Sequence, residues 1–79
     1  VDDSEFDRKV LIRYLSKEPQ LRIIECENGE KCLETLKNEK VDLVLLDILM
    51  PGPIGTQILK EIRMFHNAVE LPVIMITVK

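Results

Sequence analysis

The seven residues from Val41 to Asp47 constrain the fold more than any other part of the chain. They read VDLVLLD, a mostly apolar, β-favouring run that ends in a carboxylate. A strand this apolar is normally buried on both faces, as in a parallel sheet covered by helices. Asp47 would then emerge at the carboxyl edge of the sheet, where open α/β folds place their ligands. The run therefore predicts a parallel α/β fold in which Asp47 is placed to do chemistry.

Asp47 also has a simpler interpretation as a turn residue, because Asp is common after strands and the Pro/Gly segment 51–53 follows closely. Taken alone, that interpretation is favoured. A second acidic site favours a functional role for Asp47 over the turn interpretation. Asp2 and Asp3 stand just before Ser4, which is typical of a helix N-cap with acids in the first turn. They therefore lie where an earlier strand would end.

Helical and strand periodicities alternate along the chain. Apolar residues at helical spacing predict three helices, with apolar faces formed by Phe6, Val10, Leu11, Tyr14 and Leu15, by Cys32, Leu33 and Leu36, and by Ile58, Leu59, Ile62 and Phe65. The first helix would carry Glu5, Arg8, Lys9 and Arg13 on its outer face. Apolar runs predict further strands over residues 21–26 and 72–77. We therefore expect a flavodoxin-like doubly wound parallel sheet, an α/β/α sandwich with strand order 2-1-3-4-5.

In that order the first and third strands are neighbours, so Asp2, Asp3 and Asp47 would meet in one crevice. Three carboxylates there repel one another, by about 4 kcal/mol per pair at roughly 4 Å and an effective dielectric of roughly 20. Protonation or a divalent cation would offset this, and we favour Mg²⁺. Beside that ion, a carboxylate oxygen of Asp47 is the candidate nucleophile toward phosphorus. The Thr77 hydroxyl could donate to a phosphoryl oxygen, although strand propensity explains Thr77 equally well.

The composition limits the number of domains and the classes of function that the chain can have. The 79 residues leave room for one small domain, and 46% hydrophobic with 32% charged residues is ordinary for a soluble globular protein. A net charge of −3 gives no basic field for nucleic acid, and no apolar run approaches the length of a membrane span. Cys26 and Cys32 form neither a disulfide framework nor a zinc site, so we expect buried, reduced thiols in a cytoplasmic protein.

The spaced motifs resemble the receiver domain of two-component response regulators over residues 1–79. The resemblance rests on Val1-Asp2-Asp3, Asp47-Ile48-Leu49-Met50-Pro51, Gly55 and Ile76-Thr77. It implies that Asp47 is the phosphoacceptor and that Asp3 binds Mg²⁺ directly, while Asp2 acts mainly through water. It further implies that the backbone carbonyl of Leu49 is a Mg²⁺ ligand and that Thr77 is the switch hydroxyl.

The same resemblance implies a phosphorelay in which a sensor histidine kinase or phosphotransfer protein donates the phosphoryl group and an output domain or effector responds. The chain would then be a regulatory domain and not an enzyme. Two alternatives stay open: a Mg²⁺-dependent hydrolase of the haloacid dehalogenase type, and a receiver-like binding module that is never phosphorylated. The hydrolase class requires an acid two residues after the nucleophile, where this chain has Leu49.

The chain departs from the family pattern in three places. Val78 stands where a small residue usually follows the switch Thr, and Pro53-Ile54 replace the Asp that often precedes Gly55. The Lys that ends the family's fifth strand has no counterpart. We therefore expect a partial domain that lacks most of the first strand and everything after the fourth, and that does not fold stably by itself.

Overall fold

A computed structural model describes residues 1–48 and 55–76. Its elements follow the order α1 (Glu5–Leu15), α2 (Gly29–Asn38), β1 (Val44–Asp47), α3 (Gly55–Phe65) and β2 (Val73–Ile76). The predicted helices and the parallel pairing of the two later strands are confirmed over these residues, whereas no strand separates α1 from α2 there. No helix in the described ranges is long and apolar enough to cross a membrane.

The strands β1 and β2 pair in parallel, with Val44 opposite Val73 and Asp47 opposite Ile76. Strand β1 begins three residues later than the apolar run that starts at Val41. The ladder opens where the Val44 N–H donates to the Pro72 carbonyl at 3.0 Å. Pro72 itself has no N–H to donate, so it marks the end of regular pairing. Strand β1 is therefore shorter than the predicted run, because Pro72 cannot continue the ladder toward Val41.

The opposite edge of β1 pairs with the first residues of the chain. Val1 donates its N–H to the Leu45 carbonyl, and the Asp47 N–H donates to the Val1 carbonyl at 2.9 Å. The Asp2 N–H then donates to the Cys26 carbonyl at 3.0 Å. The segments therefore lie in the order 21–26, 1–2, 44–47 and 73–76, as the predicted sheet order requires.

The core lies between β1 and the helices α2 and α3. Alternate strand residues Val44 and Leu46 are buried, which is the period expected for one face of a sheet. Among the residues that the structure describes, the core also contains buried Cys26, Cys32, Ile58, Ile62 and Leu71. Both cysteines are buried and form no disulfide, as predicted.

The prediction that Phe65 lies on the buried face of α3 is wrong, because its side chain is 74% exposed. Phe65 is the last residue of α3. Leu71, beyond the following turn, is buried instead and joins Ile62 in the core. Arg63 fixes that turn by donating to the carbonyls of His66 and Leu71.

Helix α1 begins where predicted, with Ser4 as N-cap accepting from the Asp7 N–H. None of its residues is fully buried. The predicted apolar face is wrong in part, because the side chains of Phe6, Val10 and Tyr14 are exposed.

Three other apolar residues of the helix, Leu11, Ile12 and Leu15, line a cavity. Leu45 of β1 and Leu43 just before that strand line the same cavity. The apolar side of α1 therefore faces the sheet across this cavity.

The predicted strand over residues 21–26 is wrong, since no regular strand is formed there. A strand requires a ladder of bonds to a neighbour. Within the described ranges, a single backbone hydrogen bond joins this segment to residues 1–2, from the Asp2 N–H to the Cys26 carbonyl. Ile23 and Ile24 remain 37% and 40% exposed. The segment is placed beside the sheet without completing it.

Candidate functional site

Asp47 is the last residue of β1 and is 6% exposed. Its backbone is held on both edges of the strand, by the bond from its N–H to Val1 and by its register with Ile76 on β2. A strand end paired on both sides has little freedom to move. The carboxylate is therefore presented from a rigid position at the carboxyl edge of the sheet, as the sequence predicts.

Asp2 and Asp3 lie beside Asp47, in the turn that leads from residue 1 into helix α1. Asp2 is 4% exposed, whereas Asp3 faces solvent. The Ser4 N–H donates to Asp2 Oδ1 at 2.9 Å, which fixes one carboxylate oxygen. Ser4 in turn caps the helix, so the local sequence Asp-Asp-Ser positions both the acidic pair and the start of α1.

The carboxylates of Asp2, Asp3 and Asp47 offer oxygens that all lie within 4.8 Å of one another. Burial raises the pKa of the Asp2 carboxyl above its usual value, the Ser4 N–H opposes that shift, and nearby Asp47 reinforces it. Hard oxygen donors from two chain segments fit Mg²⁺, which retains several waters and needs only one or two protein carboxylates. The predicted convergence of these three acids is present in the structure.

Arg8 is a residue of this site that sequence reasoning placed wrongly, on the outer face of α1. Its side chain is only 16% exposed. Nη1 donates to the Asp2 carbonyl at 2.6 Å, and Nε donates to Glu25 Oε1 at 3.2 Å. The signal that could have found it was its spacing from Ser4, because a residue four positions after the N-cap lies on the same face of the helix. Periodicity of apolar residues does not detect this contact.

Gly55 opens helix α3 against the backbone that follows Asp47. A Cβ at this position would lie 2.8 Å from the Asp47 carbonyl oxygen and 3.2 Å from the Ile48 Cα. Neither backbone atom can rotate away as a side chain would. Glycine is therefore required for the close approach of α3 to the end of β1.

Two predicted site residues, Leu49 and Thr77, lie outside the described residues. So do Pro53, Ile54 and Val78, at which the sequence departs from the family pattern. The roles assigned to Leu49 and Thr77 stay predictions.

Comparison with known proteins places these features in a family. The response regulator receiver domain matches residues 1–79. A protein-glutamate methylesterase/protein-glutamine glutaminase of Bacillus subtilis (strain 168) is 40% identical over 78 residues, which is 98% of this chain and 21% of that protein. The transcriptional regulatory protein ResD of the same organism is 37% identical over 79 residues, or 100% of this chain and 31% of that protein.

A further methylesterase/glutaminase, from Methanosarcina barkeri (strain Fusaro / DSM 804), is 42% identical over 98% of this chain and 21% of its own length. The chain thus spans between about a fifth and a third of the length of these three relatives. The predicted flavodoxin-like α/β fold is that of the matched domain. By its match over residues 1–79, the chain belongs to the response regulator receiver domain family.

Proposed function

We propose that Asp47 accepts a phosphoryl group from a sensor histidine kinase or phosphotransfer protein, and that the phosphorylated chain regulates an output domain or effector. The observation that carries this proposal is the convergence of Asp2, Asp3 and Asp47 within 4.8 Å in a receiver domain. In this proposal the chain is a regulatory domain of a two-component phosphorelay, and any enzymatic activity belongs to other parts of a protein.

The three acids have different surroundings, which supports different roles. Oδ1 of Asp2 is engaged by the Ser4 N–H, and its side chain is buried. Asp3 is exposed, and it marks the side on which the site opens to solvent. Asp47 is fixed at the end of a paired strand. We therefore assign Asp47 as the nucleophile, Asp3 as a direct Mg²⁺ ligand and Asp2 as a ligand acting mainly through water.

The chemical step requires one bond to form and one to break. An Asp47 carboxylate oxygen attacks phosphorus, an O–P bond forms, and the imidazole of the phosphohistidine donor leaves with the electrons of the P–N bond and takes a proton. The product is an acyl phosphate on Asp47. Bound Mg²⁺ would supply positive charge that offsets the charge on the carboxylates and the phosphoryl oxygens. We further propose that the Leu49 carbonyl contributes to the Mg²⁺ site and that the Thr77 hydroxyl contacts the phosphoryl group.

Intact mass spectrometry of the full-length protein, after incubation with acetyl phosphate and Mg²⁺, tests the proposal. Acetate replaces imidazole as the leaving group in this assay. Wild type should gain the mass of one phosphoryl group, and Asp47→Asn should gain none. Asp42→Asn is a matched control, since Asp42 is an exposed acid just before the same strand, outside the three-acid cluster. It should be phosphorylated like wild type.

Measurement of the phosphate released in the same incubation, together with the intact mass, separates the three functional hypotheses. A hydrolase would release phosphate from acetyl phosphate over many turnovers without a lasting adduct, whereas a phosphoacceptor forms one adduct per chain. A receiver-like module that is never phosphorylated would show neither. Absence of an adduct on wild type, or an equal adduct on Asp47→Asn, would refute the assignment of Asp47.

A further inference from the structure

The guanidinium of Arg8 links helix α1 to the acidic turn. Nη1 donates to the backbone carbonyl of Asp2 at 2.6 Å, a short distance for such a bond. Nε donates to Glu25 Oε1 at 3.2 Å, which orients the plane of the guanidinium. The side chain is 16% exposed, so solvent competes little for these contacts. Arg8 therefore restrains the backbone that carries Asp2 and Asp3.

The backbone of Asp2 is held at both of its polar groups. Its N–H donates to the Cys26 carbonyl at 3.0 Å, and its carbonyl accepts from Arg8. Its side chain accepts from the Ser4 N–H. The Cys26 and Ser4 contacts come from backbone groups, which any sequence supplies. The contact to the carbonyl depends on the Arg8 side chain.

We propose that Arg8 is a positioning residue for the Mg²⁺ site, because it holds the Asp2 carbonyl and so fixes the direction in which the carboxylates of Asp2 and Asp3 point. The inference rests on the proposed function, since it assigns a role toward the metal. Partners of this kind, which orient ligands without touching the metal, change metal affinity by about 10- to 100-fold when they are removed.

A competing electrostatic effect has the opposite sign. Arg8 carries a positive charge near a site for a cation, so loss of that charge alone would strengthen Mg²⁺ binding. Lys9 provides the matched control. Its Nζ lies 3.1 Å from Glu25 Oε2, and its side chain is 58% exposed. Lys9→Gln removes one positive charge from the adjacent position and leaves the bond to the Asp2 carbonyl intact.

Isothermal titration of the full-length protein with Mg²⁺, without any phosphoryl donor, is the test. Arg8→Gln should bind Mg²⁺ about tenfold more weakly than wild type, whereas Lys9→Gln should bind equally or slightly more tightly. Arg8→Lys keeps the charge but loses the planar fork, so its Mg²⁺ affinity should lie between those of wild type and Arg8→Gln. In phosphorylation assays, the Mg²⁺ concentration for half-maximal rate should rise in Arg8→Gln while the rate at saturating Mg²⁺ stays unchanged.

Equal Mg²⁺ affinity of Arg8→Gln and Lys9→Gln would overturn the inference. If Arg8→Gln fails to fold by circular dichroism, Arg8→Lys decides, and wild-type affinity in that variant would overturn the inference. The proposed function fails differently: wild type itself would then bind no Mg²⁺ or gain no phosphoryl group, and the role of Arg8 would fail with it. Mg²⁺ binding by wild type with no change in the Arg8 variants refutes the positioning role alone.

Discussion

Replacement of Asp2 by Asn should stabilise the Mg²⁺-free domain, although it weakens the proposed metal site. At the 4.8 Å that bounds the separations of the three acids, two carboxylates repel by about 3.5 kcal/mol at an effective dielectric of roughly 20 and by about 0.9 kcal/mol at that of water. Asp3 is exposed, so its repulsion with Asp2 lies near the lower value, whereas the repulsion between Asp2 and buried Asp47 is stronger.

The substitution also has a cost, since an amide oxygen accepts the Ser4 N–H less strongly than a carboxylate does. We expect a net gain of about 2 kcal/mol in the free energy of unfolding at neutral pH. The shift in the pKa of Asp2 agrees with this expected gain in stability. Burial, reinforced by Asp47, raises that pKa. Ionised Asp2 therefore destabilises the fold, and the Mg²⁺-free stability of wild type falls as the pH rises through the raised pKa.

Urea denaturation of the complete receiver domain, followed by circular dichroism with and without Mg²⁺, measures both effects. At a Mg²⁺ concentration about a thousand times the dissociation constant, wild type gains about 4 kcal/mol. Asp2→Asn should gain less, so Mg²⁺ reduces the stability difference between the variant and wild type. Asp42→Asn, outside the cluster, should behave like wild type. A variant less stable than wild type without Mg²⁺, or equal stabilisation of both by Mg²⁺, would refute the reasoning.

Three further predictions concern packing and reactivity. Gly55→Ala should lower the free energy of unfolding by about 1–2 kcal/mol in urea denaturation, because its Cβ would lie 2.8 Å from the Asp47 carbonyl oxygen. An unchanged midpoint would contradict that contact. Leu46→Ala should cost about 2–5 kcal/mol in the same assay, since Leu46 is 0% exposed; a loss below about 1 kcal/mol would contradict its central position. Burial raises the pKa of the Cys32 thiol to about 11. About one molecule in a thousand then carries the thiolate at roughly pH 8, so iodoacetamide should modify Cys32 in urea but not in the native domain, as peptide mass spectrometry would show. Rapid modification of the native domain would refute this.

Local signals in the sequence predicted several features correctly. Ser4 and the helix that follows it were predicted from the preference of Ser for the N-cap position, and the structure confirms both. The apolar run before Asp47 predicted a buried strand with a carboxylate at its end, which β1 confirms. The helix start depends on contacts between residues close in the chain, and the burial of β1 follows from the apolar composition of the run, so the sequence carries both signals directly.

Contacts between distant parts of the chain could not be predicted in this way. The segment 21–26 has the composition of a strand, but a strand forms only when a ladder of hydrogen bonds joins it to a neighbour. In the described residues, the hydrogen bond from residues 1–2 reaches only Cys26, the last residue of the segment. Phe65 has the right spacing for the core, yet Leu71 is buried there instead. Helical periodicity specifies a face of the helix and not the extent to which other elements cover it.

The acidic site combines both kinds of information. The sequence by itself determined which groups carry the chemistry, since Asp2, Asp3 and Asp47 are recognisable from their positions at strand ends and from their spacing. Only the tertiary structure decided that their oxygens meet within 4.8 Å and that Arg8 holds the Asp2 carbonyl. The physical reason is that local propensity acts over a few residues, whereas the site is assembled by pairing between strands far apart in the chain.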